Sequence, residues 1–281
     1  MKSTLLTAVY DQREALLRRV ALLDDTDWDL PCAVAGPAAT RPVREIVAHL
    51  LLADALILSG AVGARWQRTG RLQMPGSWDP APLRAMAQLP VSALVTLLAQ
   101  RGEKVARLIA RAPLASWRLP VAGPAGRRPA AQLWADRVVH EWLHEHDIAG
   151  CSADQAPVAM RPATVSLATD AVLRTVADAV LPTVSLDHGV VRLVVRGDAS
   201  SRTWGVDFAR RRYGPRVTAA PDAQLRLTPQ DLVLIVNGRG DRVPNSIDVT
   251  GDPDLAGRLL EALAAPAATA SSLCRDVHAV G

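Results

Sequence analysis

The chain has 281 residues, long enough for a sizeable core and for two domains. At 49% apolar and 21% charged it is too apolar for wholesale disorder. The net charge of +4 is spread out, and the one dense run, Arg210-Arg211-Arg212, lacks interleaved aromatics. A solvated basic loop is therefore expected there, with no nucleic acid as partner.

The N-terminus reads as an amphipathic helix over about 3–23, with Leu5, Leu6, Leu16, Leu17, Val20 and Leu23 on its apolar face. Its charges run throughout, unlike the uninterrupted apolar centre of a secretion signal. A polar, proline-containing loop from Asp24 to Ala39 follows, then a second helix to about Gly63, with Thr40 as N-cap and Pro42 in the first turn. The most apolar stretch, about 46–62, holds His49 and Asp54 and is too short to span a bilayer. A long connection over 65–89 leads to a third helix at about 90–111, and the Pro/Gly-rich segment 119–129 leads to a fourth at about 129–149. A fifth covers about 162–181.

From residue 188 the period changes to that of strands: 190–195, 203–208, 223–227 and 246–249, with a helix start at Thr228-Pro229-Gln230-Asp231 and a last helix at about 253–264. The fold class is α+β. An antiparallel four-helix bundle occupies residues 1–185, a small α+β domain 186–265, and a loose Ala/Ser-rich tail 266–281. Cys32, Cys151 and Cys274 are odd in number and far apart, and read as reduced thiols of a soluble cytoplasmic protein with no membrane partner.

The chemistry concentrates at His140-Glu141-Trp142-Leu143-His144-Glu145-His146-Asp147. Helical residues advance by about 100°, so His140 and His144 project about 40° apart and Asp147 within about 20° of His140. Two imidazoles at i, i+4 suit zinc, iron, nickel or cobalt. Trp142 falls on the opposite side and reads as packing, while Glu141 and Glu145 read as solvated flanks.

A third ligand is required, and two routes supply one. His140-Glu141-Trp142-Leu143-His144 matches the H-E-x-x-H string of zinc proteases, but the next Glu after Glu145 is Glu261, in the other domain. Upstream, His49 shares a face with Ile46, Val47 and Ala53 directed at the bundle core. A three-histidine site of His49, His140 and His144 is the better-supported expectation. Asp147 could orient one of its imidazoles.

The strings Pro42-Val43-Arg44-Glu45-Ile46-Val47-Ala48-His49-Leu50, after Asp27-Trp28, and His140 to Ile148 resemble the DinB-like, mycothiol-dependent maleylpyruvate isomerase family of actinobacteria. Residues 227–239 and 247–260 are similar to that family's sterol-carrier-like module, so the resemblance covers nearly the whole chain. It implies a divalent metal, zinc by preference, on His49, His140 and His144, and mycothiol as thiol cosubstrate. It further implies isomerisation of, or S-transfer onto, a small electrophilic molecule through a metal-bound thiolate. The family has Glu where this chain has His140, which leaves a more positive metal. Arg239, in Asn237-Gly238-Arg239, matches a family Gly-Arg pair and is expected to bind a substrate carboxylate. The alternatives left open are a non-catalytic metal- or ligand-binding or resistance protein, an H-E-x-x-H protease and a three-histidine iron oxygenase.

Overall fold

A computed structural model describes residues 2–34, 40–62, 80–123, 126–151, 158–183, 186–197, 200–243 and 247–264. The tail 266–281 and Cys274 lie outside them. The chain forms two compact units that meet between Thr164 and Val165, so the helix Pro162–Thr183 straddles this point, where the sequence reading draws the boundary after 185.

The first unit holds four long helices: α1 (Lys2–Ala21), α2 (Val43–Val62), α4 (Val91–Arg111) and α5 (Ala130–Ala149), with a short α3 (Pro80–Ala87) between α2 and α4. In α4 the buried residues Leu94, Leu98, Val105 and Ile109 recur at three- and four-residue steps, the stripe a helix needs to face a core. Leu94 and Leu98 pack with Leu16 and Val20 of α1, Ile46, Val47 and Leu50 of α2, and Ile148 of α5. Two small hairpins went unread as strands in the sequence: β1 (Pro31–Ala33) with β2 (Thr40–Pro42), and β3 (Pro120–Gly123) with β4 (Gly126–Pro129). Thr40 is accordingly a strand residue and not an N-cap, and α2 begins at Val43.

A closed ring of four buried charges ties three of these helices together. Asp54 on α2 receives Arg13 Nη2 of α1 at 2.8 Å, and Nη2 and Nε of Arg137 on α5 at 2.7 and 2.9 Å. Glu141 on α5 completes it, accepting from Arg13 Nε and from Arg137 Nη1, the latter at 3.0 Å. Arg13 also donates to the Leu98 carbonyl of α4. Gly102 makes this passage possible, because a Cβ there would stand 2.7 Å from Arg13 Nη1. Glycine in mid-helix costs about 1 kcal/mol against alanine, here in exchange for room. A second cluster joins Glu145 to Gln12 at 2.6 Å and to Arg161 at 3.3 Å. Glu141 and Glu145 are therefore buried and paired, which corrects the expectation of solvated flanks: the polar pair Gln12 and Arg13 of α1 lies opposite them.

Cys32 of β1 and Cys151, just past α5, are joined in a disulfide with Cα atoms 5.1 Å apart. This corrects the expectation of reduced thiols, since a sequence separation of 119 conceals that hairpin and helix end meet in one core.

In the second unit a five-stranded sheet has the order β7-β6-β5-β8-β9: β5 (Val190–Gly197), β6 (Ser200–Asp207), β7 (Arg212–Gly214), β8 (Ala223–Leu227) and β9 (Asp248–Gly251). Only the β5–β8 pairing is parallel. The helix α7 (Pro229–Val236) begins as the sequence predicts. Thr228 Oγ1 accepts from the Asp231 N–H, the Asp231 carboxylate accepts from Thr228 N–H, and Pro229 sits in the first turn. The last helix, α8, is Pro253–Ala264. With α6 (Pro162–Thr183), the molecule is of the α+β class expected. Among the described residues no single helix is long and apolar enough to cross a membrane.

Two measurements follow from these links. Burial raises the pKa of Asp54, but Arg137 and Arg13 outweigh it and hold the carboxyl below its ordinary 3.8. A depressed carboxylate contributes stability that is fully present above the unfolded value and is lost as pH falls through the folded one. Wild type should thus lose stability below about pH 4, and Asp54→Asn should be weaker at pH 7 by about 3–5 kcal/mol, because two guanidinium groups lose their buried partner. Equal denaturation midpoints at pH 7 would contradict this. For the cysteines, thiol titration of unfolded, unreduced protein should give one free thiol per chain and three after reduction. Breaking a cross-link over a loop of this length should cost about 4–5 kcal/mol. Three free thiols before reduction would exclude the bridge.

Candidate metal centre

His49 lies near the middle of the first half of α2, and His140 and His144 lie one turn apart on α5. The helix α2 is apolar along almost its whole length, so it is buried on most sides and carries His49 into the core with it. Two ties set its register against α5: Asp54 meets Arg137 while His49 meets His140. Moving forward on α2 is moving backward on α5, so the two helices run antiparallel.

His140 Nε2 lies 2.9 Å from His49 Nε2 and 3.0 Å from His144 Nε2. One ring nitrogen from each of the three comes within 4.8 Å of both others. The rings stand nearly edge to face, with interplanar angles of 76–83° and centroids 4.6–5.1 Å apart. All three side chains are buried. Around a tetrahedral zinc with Zn–N bonds of about 2.05 Å, ligand nitrogens stand about 3.3 Å apart, close to the spacing seen.

The donor set fits a cation. Asp147, fully buried, faces His144 with Oδ2 3.0 Å from Nδ1. A carboxylate only accepts, so His144 carries its proton on Nδ1 and turns the Nε2 lone pair inward. His140 Nε2 is within hydrogen-bonding distance of two other Nε2 atoms, yet one neutral imidazole nitrogen carries at most one proton. A divalent ion satisfies three such lone pairs at once.

The cluster borders a small pocket lined by Val34, Arg41, Glu45, Ile46, His49, Leu83 and His144. The lining residues His49 and His144 are buried, while Arg41 and Glu45, joined by a 3.1 Å ion pair, keep side-chain exposures of 32% and 25%.

Other residues singled out in the sequence fall elsewhere. Trp142 is buried against the core, as its position on the helix suggests, and its ring centroid is 5.5 Å from that of His146. Arg239 belongs to the second unit, where it is buried and donates from Nη1 to the Asn237 carbonyl at 2.8 Å. Arg41 and Glu45 were not read as site residues. A signal was present for Glu45, which precedes His49 by about one helical turn on α2.

Residues 9–149 match the family described as the mycothiol maleylpyruvate isomerase N-terminal domain. Among curated proteins none matches in sequence. Among solved structures the chain is similar to "Crystal structure of the mycothiol-dependent maleylpyruvate isomerase", at 14% identity and TM-score 0.58, covering 89% of this chain and 93% of that one. A histidine-to-alanine mutant of that isomerase matches over the same shares, at 14% identity and TM-score 0.55. Sterol carrier protein 2 like 2 from Aedes aegypti, 22% identical, covers 34% of this chain and 97% of its own, with TM-score 0.28. The likeness to the isomerase structures is one of fold. With the family match spanning half its length, the chain belongs to the mycothiol maleylpyruvate isomerase family.

Proposed function

We propose that this chain is a divalent-metal-dependent and mycothiol-dependent isomerase or S-transferase of a small electrophilic molecule. The observation carrying this reading is the convergence of three Nε2 atoms from two distant helices beside a cavity. A divalent ion held there would supply Lewis acidity toward a thiol or the substrate; zinc suits three imidazoles, with iron, nickel and cobalt compatible.

His49, His140 and His144 would hold the ion. Asp147 accepts the Nδ1 proton of His144, which fixes the tautomer and ring plane and raises the basicity of Nε2. Val34, Ile46 and Leu83 give the cavity an apolar wall that limits water around the reacting thiol. The family resemblance places Glu where His140 stands, so this chain's three ligands are all neutral and leave the full cationic charge to polarise thiol and substrate.

The position of Glu141 weighs against the protease reading. Activating a water requires a carboxylate directed at the ion, whereas this one accepts from two guanidinium groups in the core. Nothing in the geometry favours the oxygenase over thiol chemistry.

Purified wild type should contain close to one divalent ion per chain, and His49→Ala at least tenfold less. With mycothiol and a panel of electrophiles, wild type should form product and His49→Ala should not. Metal retained in His49→Ala would defeat the three-histidine site. Metal without turnover would leave a binding protein, and cleaved peptides would restore the protease. Asp147→Asn should weaken metal affinity by about 10–100-fold, read by competition with a chromogenic chelator; an unchanged affinity would remove Asp147 from the site.

A further inference from the structure

The Cys32–Cys151 bridge closes a loop that contains all three histidines. Cys32 lies in β1, ahead of His49, and Cys151 lies just beyond α5, after His140 and His144. An ion shared by the histidines closes a second loop inside the first, because it ties α2 to α5. With the outer loop shut, the inner ends have less freedom left to lose when an ion joins them.

Each half of the bridge also lies one short step from the cluster. Cys151 Sγ is 3.0 Å from the carbonyl oxygen of Asp147, whose carboxylate meets His144 Nδ1. On the other side, the β1 strand that holds Cys32 leads into Val34, which lines the pocket with His49 and His144. The two sulfurs differ in access. Cys32 is 1% exposed, in a core it shares with Trp28, Ile46 and Ile148, whereas Cys151 packs against that core half-buried. Exchange begins with a thiolate on a sulfur it can reach, and the other sulfur leaves.

We infer that Cys151 is a site of thiol exchange, at which a low-molecular-weight thiol opens the bridge and loosens the histidines' hold on their ion. The inference rests on the metal-dependent reading above and adds a covalent modification site coupled to it. The incoming thiolate forms a bond to Cys151 Sγ as the Cys32–Cys151 bond breaks. The electron pair leaves on Cys32 Sγ, which takes up the proton that the incoming thiol released. A second thiolate attacks the small-molecule sulfur of the mixed disulfide, and Cys151 leaves as a thiol. The net change oxidises two small thiols to one disulfide and reduces the bridge to two thiols. If opening the bridge weakens ion binding, the ion must make the bridge harder to open by the same factor.

The test reads both directions of that coupling in the full-length chain carrying Cys274→Ser, so that every thiol counted belongs to the bridge. Brief treatment with N-acetylcysteine, acid quenching and peptide mass analysis should find the adduct on Cys151. An adduct mainly on Cys32, or no opening without denaturant, would overturn the assignment. At equilibrium with N-acetylcysteine and its disulfide, half-opening requires a certain ratio of thiol squared to disulfide. Saturating zinc should raise that ratio by at least about fivefold, and should leave it unmoved in His49→Ala. Thiols freed by reduction would bind zinc themselves and shift the ratio the other way, so they do not imitate this result. In Cys32→Ala/Cys151→Ala, chelator competition should show zinc held at least about fivefold more weakly than in the bridged protein. Should that variant misfold, the redox titration decides, since it alters neither cysteine. An unmoved or lowered ratio, or a shift that survives in His49→Ala, would overturn the coupling. Zinc bound equally with and without the bridge would overturn this inference alone, whereas bridged protein that takes up no zinc would overturn the metal-dependent function with it.

Discussion

The ring of Arg13, Asp54, Arg137 and Glu141 is the constraint on which the first unit depends. Four buried charges carry a large desolvation penalty, and leaving out any one leaves a net charge uncompensated in a low-dielectric core. Alternation of sign around a closed ring offsets that penalty only when α1, α2 and α5 sit at one relative height. A one-turn slip of α2 along α5 would move Asp54 by about 5.4 Å and break every bond it makes. The ring is therefore a register pin, a use for which buried polar groups are better attested than for raw stability.

The histidines are positioned by that pin. His49 precedes Asp54 by five residues on α2, and His140 follows Arg137 by three on α5, so fixing one pair fixes the other within about a turn. Beyond the histidines, α5 is held again at its far end. There Asp147 faces His144, and the Cys32–Cys151 bridge joins the helix end to the β1 strand. The same strand leads into Val34 on the cavity wall. Polar ring, histidine cluster and disulfide thus succeed one another along a single helix, and three converging nitrogens need that rigidity to keep spacings of a few tenths of an ångström.

Much of this was legible in the residues. Histidines at 140 and 144 advertise a shared helix face, and a histidine at 49 inside an otherwise apolar segment advertises burial. The helix spans of the bundle and the capped start at Thr228 followed from periodicity and turn chemistry. What escaped was whatever required knowing which helices are neighbours. Gln12 and Arg13 occupy apolar-face positions between Val9 and Leu16, a local conflict that only makes sense opposite Glu141 and Glu145. Without α1 in place, a helical wheel of α5 assigns those glutamates to solvent. The disulfide joins segments 119 residues apart, and the hairpin strands are only three or four residues long, too short to carry a period.

The charge around the cluster explains why a motif can be present without its usual chemistry. Of the acidic residues on α5 near the histidines, Glu141 is neutralised by Arg13 and Arg137, and Glu145 is paired with Arg161 and Gln12. Asp147 acts on a histidine directly, through Nδ1 of His144. The H-E-x-x-H string therefore contributes its two imidazoles and no base, and what negative charge it carries is spent on packing helices. With Glu141 and Glu145 bound elsewhere, the pocket is bordered by His49, His144 and the Arg41–Glu45 pair.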